Sequence, residues 1–163
     1  MNITLSSLHQ ESKKEVIDIF NHYINNSLSA YPDQAVPYEF FDIFEKSFAG
    51  YPAVTAQDET GEVVGFGLLR PYNPLPTFAQ TAETTYFVAP EATGKGIGQY
   101  MLDHLTQEGK EMGLTTLLAH ISSHNQGSIN FHLKNGFTER GRLREVGKKN
   151  DTLFDVVYMQ KMI

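Results

Sequence analysis

The segment that most restricts how this chain can fold reads Val88-Ala89-Pro90-Glu91-Ala92-Thr93-Gly94-Lys95-Gly96-Ile97-Gly98. A strand-like stretch from Thr81 to Val88 stops at Pro90, which cannot donate to a sheet ladder. Glycines then recur at every second position, and a helical pattern begins at once. Ile97, Tyr100, Met101, Leu105 and Met112 share one face, and Gly113 ends it. The chain therefore passes from strand to helix through a glycine turn. Such a turn exposes backbone N–H groups beside the positive end of the helix dipole, and glycine adds no Cβ to keep a phosphate away. Both features favour a bound pyrophosphate. The residues alone are equally compatible with a connection that needs only flexibility. Two other phosphate motifs fail on spacing. A P-loop needs Ser or Thr after Lys95, where Gly96 stands, and a glycine at Ala89; a dinucleotide fingerprint starting at Gly94 needs a glycine at Gln99.

Periodicity orders the rest. Ile3 to Leu5 reads as a short edge strand. Residues 11–27 carry Val16, Ile17, Phe20, Tyr23 and Ile24 at helical spacing, and a second helix is expected over 38–49, stopped by Gly50 and Pro52. Pro32 and Pro37 bracket the loop between them. Strands over 53–58 and 62–70 meet at Asp58-Glu59-Thr60-Gly61, a hairpin signature. Pro71, Pro74 and Pro76 make 71–80 a loop. Thr115 to Ile121 is an apolar strand, Gly127 to Asn135 a short helix capped by Gly136, and strands over 137–145 and 153–161 follow. The order β-α-α-β-β-β-α-β-α-β-β predicts a mixed sheet with helices on its faces.

Composition removes several classes of function. A length of 163 residues suits a single domain spanning 1–163. A net charge of -6 opposes a general nucleic-acid binder. Absence of cysteine removes disulfides, thiolate metal sites and a thiol nucleophile. The N-terminus lacks the basic and apolar runs of a signal peptide, and no apolar stretch approaches the roughly 18 residues of a membrane span. A cytoplasmic protein without membrane or nucleic-acid partners is expected.

Val88-x-Pro90, followed by Gly96-x-Gly98, resembles the signature of the GNAT acetyltransferase superfamily, with Thr93 where Gln or Arg is usual. A second family pattern, a strand followed by Asn-x-x-Ser and a helix ending in Gly-Phe, is met from Asn125 and Ser128 to Gly136-Phe137. Within the superfamily the chain is similar to the phosphinothricin N-acetyltransferase-like branch. The likeness lies in the Glu-bearing strand Thr81–Val88, in Phe131-His132 where the wider family has an aromatic-Tyr pair, and in the stretches from Leu143 to Lys149 and from Asp155 to Gln160.

The resemblance implies an α/β (α+β) fold: a mixed, mostly antiparallel sheet with splayed fourth and fifth strands, flanked by about four helices. It implies acetyl-CoA as cosubstrate and no metal. Cofactor contacts would come from Tyr86, Phe87, Val88, Thr93, Gly94, Lys95, Gly96, Ile97, Gly98 and Asn125. The implied reaction is acetylation of the primary amine of a small molecule, an amino acid or analogue, by direct attack in a ternary complex. Glu83 takes the place of the general base, and His132 that of the acid for the leaving thiolate or of a substrate contact. Asn125 is expected either on the pantetheine arm or as the cap of the next helix. Tyr31, Tyr72, Phe78 and Phe154 are expected to line the substrate wall. The branch has an Arg where Leu75 aligns and a Trp where Leu153 aligns, so a guanidinium for an acidic substrate group is missing from that spot. His120 and His124 stand four residues apart, but one falls on a strand and no third metal ligand is evident. A homodimer is expected by analogy. Two other readings remain at this point: acetylation of a protein N-terminus or lysine, and CoA binding without catalysis.

Overall fold

A computed structural model describes residues 2–163. Seven strands form one sheet in the order β1-β2-β3-β4-β5-β7-β6. They are β1 (Thr4–Ser7), β2 (Ala53–Gln57), β3 (Val63–Pro71), β4 (Thr81–Val88), β5 (Thr116–Ser122), β6 (Thr138–Lys149) and β7 (Thr152–Met162). The helices are α1 (Lys13–Asn26), α2 (Phe41–Ser47), α3 (Ile97–Glu111) and α4 (Gln126–Lys134). All neighbouring strands are antiparallel except β4 and β5. This is the fold that the resemblance implies.

Burial explains the layering. β3 is buried continuously from Val63 to Leu69 because both its faces are covered. Phe66 points towards α1 and α2, where Phe20, Phe44 and Phe87 pack ring against ring. Gly65 and Gly67 point the other way. A Cβ on either would press on Met101 or Leu105 at 3.1–3.3 Å, so glycine there lets α3 lie close to the sheet. Val16, Ile17, Phe20 and Ile24 form the buried stripe of α1.

Most boundaries differ from the sequence reading by one or two residues, and α2 starts only at Phe41, after a single 3-10 turn over Tyr38–Phe40. β1 starts one residue later, at Thr4, and runs to Ser7. The last hairpin is longer than 137–145 and 153–161, since β6 reaches Lys149 and β7 starts at Thr152. The cause is a bulge between Leu143 and Gly147, where Glu145 adopts φ 50° and pairing resumes afterwards. Periodicity is broken at the bulge, so it resembles a strand end.

The feature that positions the site is the seam between β4 and β5. Only Thr81–Thr116, Ala82–Leu117 and Glu83–Leu118 pair; beyond them the two strands part.

Candidate active site

The open seam leaves backbone groups without ladder partners. Ala89 N–H donates to Val64 O (2.8 Å), which fixes the alternation of the β3–β4 ladder. In that register the main-chain groups of Tyr86 and Val88 turn towards β5, which has already diverged. The Val88 carbonyl is taken by the Tyr23 hydroxyl of α1 (2.5 Å). Its amide faces the seam.

Below the seam, on the α3 side, lies a cavity of about 670 Å³. Its wall includes Val88, Thr93, Gly94, Gly96, Ile97, Gly98, Phe131 and Lys134. Gly94 and Gly96 have φ of 74° and 80°, a left-handed conformation that L side chains avoid. Gly96 is the N-cap of α3, and no side chain caps that end. The first amides of α3 thus remain available to an anion. Thr93 turns its hydroxyl back to Pro90 O (2.8 Å), and Lys95 bonds Glu91 O (2.8 Å), so the cradle is built from main chain. Lys95 is not in the cavity wall.

This conformation separates two substitutions. Alanine at Gly96 must adopt φ 80° or twist the turn, at a cost of about 1–2 kcal/mol. At Gly98 an added Cβ meets Phe131 at an ordinary 3.6 Å. Gly96→Ala is expected to weaken acetyl-CoA binding about tenfold, and Gly98→Ala less than about threefold, as read by calorimetry. Equal effects would contradict a role for the left-handed turn.

Across the seam a second cavity, of about 300 Å³, is lined by Tyr31, Arg70, Thr85, His120 and His132 among others. The two cavities share Ser29, Tyr86, Phe87, Asn125 and Ser128. A charged cluster borders the smaller one. Glu83 accepts from Arg70 Nε (2.9 Å) and lies 3.4 Å from His120 Nε2. Arg70 also donates to Thr85 Oγ1 (3.1 Å). The Glu83 side chain is 16% exposed and lies behind the wall that Arg70 and His120 present. Burial alone would raise its pKa, but the hydrogen bonds and charges of His120 and Arg70 outweigh that and hold it below the usual carboxylate value. Tyr31 stacks on Phe154 (5.6 Å) and on His120 (6.4 Å), and its hydroxyl pKa is pushed up to about 12, chiefly by burial.

His132 is buried, 3% exposed. Its Nδ1 meets Ser128 O at 2.7 Å, and its Nε2 is hydrogen-bonded to the Tyr86 hydroxyl. Burial lowers its pKa, against a smaller opposing effect of the Ser128 backbone bond. Asn125 Oδ1 accepts from Ser128 N–H (3.1 Å), so its capping role is realised while it also lines both cavities.

The structure gathers most of the expected residues around the seam. Tyr31 lines the smaller cavity, and Phe154 backs it by stacking. Tyr72 and Phe78 do not reach either wall. They pack edge to face on one another (5.7 Å), exposed on the proline-rich loop. Leu75 is exposed on the same loop, but a guanidinium enters the cavity from elsewhere, at Arg70. Sequence reading missed Arg70 and weighed His120 only as a metal ligand; both become neighbours of Glu83 only through the β3–β4 and β5 registers. His124 turns to Leu153 O (3.1 Å) rather than joining His120. Among the described residues, no group of three or more His, Asp or Glu side chains is placed to hold a metal ion.

A split sheet that joins a diphosphate cradle to a smaller polar chamber fits a transferase whose donor carries a nucleotide tail. The chain belongs to the acetyltransferase (GNAT) family, whose model matches residues 16–137. It is 30% identical over 149 residues to the L-methionine sulfoximine/L-methionine sulfone acetyltransferase of Pseudomonas paraeruginosa, spanning 89% of this chain and 86% of that one. A phosphinothricin acetyltransferase (Pat) from Sinorhizobium meliloti, solved in complex with AcCoA, superposes with a TM-score of 0.94 at 25% identity, over 100% of this chain and 89% of that one. The ribosomal-protein-alanine N-acetyltransferase of Brucella melitensis gives a TM-score of 0.91 at 30% identity, over 98% and 99% of the two chains. No helix among the described residues is long and apolar enough to cross a membrane.

Proposed function

We propose that the protein transfers the acetyl group of acetyl-CoA to the primary amine of a small α-amino acid or close analogue. The observation that carries this reading is the pair of cavities joined at the seam, with the Arg70–Glu83–His120 cluster on the side of the smaller one. Acetyl-CoA supplies an activated thioester carbonyl, and the turn from Thr93 to Gly98 would hold its diphosphate. A zwitterionic substrate matches the cluster in sign: Glu83 attracts the ammonium, and Arg70 a carboxylate. The acetylated substrate named for the Pseudomonas relative is of that chemical class.

Residue roles follow from the geometry. Glu83 draws off the ammonium proton, directly or through His120 or water, and leaves a neutral nucleophile. The amide of Val88 faces the seam, where the carbonyl oxygen would gain charge during attack. With no cysteine in the chain no thiol can carry the acetyl group, and in this reading the amine attacks the thioester directly. A cytoplasmic homodimer completes the reading; the outer strand β6 leaves Leu143 and Val146 exposed for a partner copy.

The test is release of free CoA thiol over a panel of α-amino acids, the same compounds lacking the carboxylate, and short peptides. α-Amino acids are expected to turn over, with KM at least about tenfold higher once the carboxylate is gone. Preferred turnover of peptides would favour protein acetylation, the activity named for the Brucella neighbour. Acetyl-CoA at 100 times its Kd should also add about 2.7 kcal/mol of stability, seen as a rise in Tm.

A further inference from the structure

His132 faces the smaller cavity but not the larger one. The thiol tail of CoA would descend from the larger, so the residue placed where the two meet is of special interest. That residue is Tyr86. It lines both cavities, its ring stacks on His132 (5.5 Å, 20°), and Phe131 holds it edge-on (5.8 Å). The hydrogen bonds determine which atom carries which proton. Ser128 O can only accept, so His132 Nδ1 carries the hydrogen and Nε2 is bare. The Tyr86 hydroxyl therefore donates to Nε2, and its oxygen is also hydrogen-bonded by the Thr84 side chain, which leaves it one lone pair. Glu83 lies on the opposite face of β4, since side chains alternate along a strand. It serves the incoming ammonium and does not share this position.

We propose that Tyr86 and His132 form one proton relay, which carries the proton lost by the attacking nitrogen to the departing sulfur. This rests on the acetyl-transfer reading. Attack forms the N–C bond at the thioester carbonyl. The N–H proton then passes to the Tyr86 oxygen as the Tyr86 proton passes to His132 Nε2. Collapse breaks the C–S bond, and its electron pair leaves with sulfur. Sulfur takes the proton from Tyr86 while His132 returns its own to the tyrosine. An amide and a thiol result, and the pair ends as it began. His132 is the positioning and storage member, and Tyr86 the one that touches the reacting atoms.

Tyr86→Phe keeps the buried ring and removes only the hydroxyl. It is expected to lower kcat about a hundredfold, with the Kd of acetyl-CoA and its effect on Tm unchanged, which also verifies folding. His132→Gln should cost a similar factor, and the double variant no more than either single one, because the two act as a unit. Wild-type kcat in Tyr86→Phe, or losses that multiply in the double variant, would overturn the relay while acetyl transfer stands. A wild-type protein that releases no CoA with any amine would overturn both.

Discussion

Glu83→Gln is expected to lower kcat/KM about a hundredfold at pH 7, and far less above the pKa of the substrate amine, with acetyl-CoA binding unchanged. The sign follows from the site. Burial opposes the charge on Glu83, but Arg70 and His120 more than restore it, so its folded pKa lies below the value in an unfolded chain. The carboxylate is therefore ionised throughout the working range. Its stabilising contribution is complete above about pH 4.3 and is lost only as the pH falls through the lower folded value. Loss of activity between about pH 9 and 6 must then come from protonation of the amine, whose ordinary pKa is about 7.7–10.4. A glutamine can neither attract the ammonium nor receive its proton. Above the amine pKa that service is redundant, and the variant should recover. Rates measured across this range check the expectation; a defect independent of pH would remove Glu83 from proton transfer and leave it as an anchor for Arg70.

Lys149→Met is expected to cause the largest loss of stability, about 3 kcal/mol. That corresponds to a fall in Tm of about 6–12 °C for a chain of this size. Lys149 stands at the end of β6 and is 3% exposed. Its ammonium donates to Ile24 O (2.7 Å), Ser27 O (3.0 Å) and Ala30 O (2.8 Å). Three donors meet three acceptors, two of them at the negative end of α1. Methionine fills similar space but leaves the carbonyls unpaired. The same contacts hold the segment that carries Ser29 and Tyr31 to the cavities. The variant's KM for the amine should therefore rise along with the drop in Tm. Thermal unfolding monitored by circular dichroism tests this, and a Tm shift below about 2 °C would show that the clamp is dispensable.

The order of elements was legible because periodicity is local: α1 and α3 show helical spacing, and β3 and β5 short apolar runs. The glycine turn was legible for a related reason, since Gly94 and Gly96 do need positive φ. What the sequence hid is what the sheet brings together. Arg70 and Glu83 face each other by antiparallel register, and His120 joins them across a seam that pairs only at its lower end. No spacing rule connects residues 70, 83 and 120. Tyr86 was expected as a cofactor contact, whereas its hydroxyl gained a partner only when α4 placed His132 over it. The role of Lys149 could not be read, because a carbonyl clamp more than 100 residues away leaves no local trace. Tyr72 and Phe78, expected on the substrate wall, pack on each other on their loop.

The claim on which the rest depends is that donor and acceptor occupy adjoining cavities at once, with the acetyl group crossing the seam in one step. Initial velocities with acetyl-CoA and an α-amino acid both varied test it most directly. Intersecting reciprocal plots, with no acetyl group retained on the protein, are the expected result; parallel plots with an acetylated protein intermediate would contradict it.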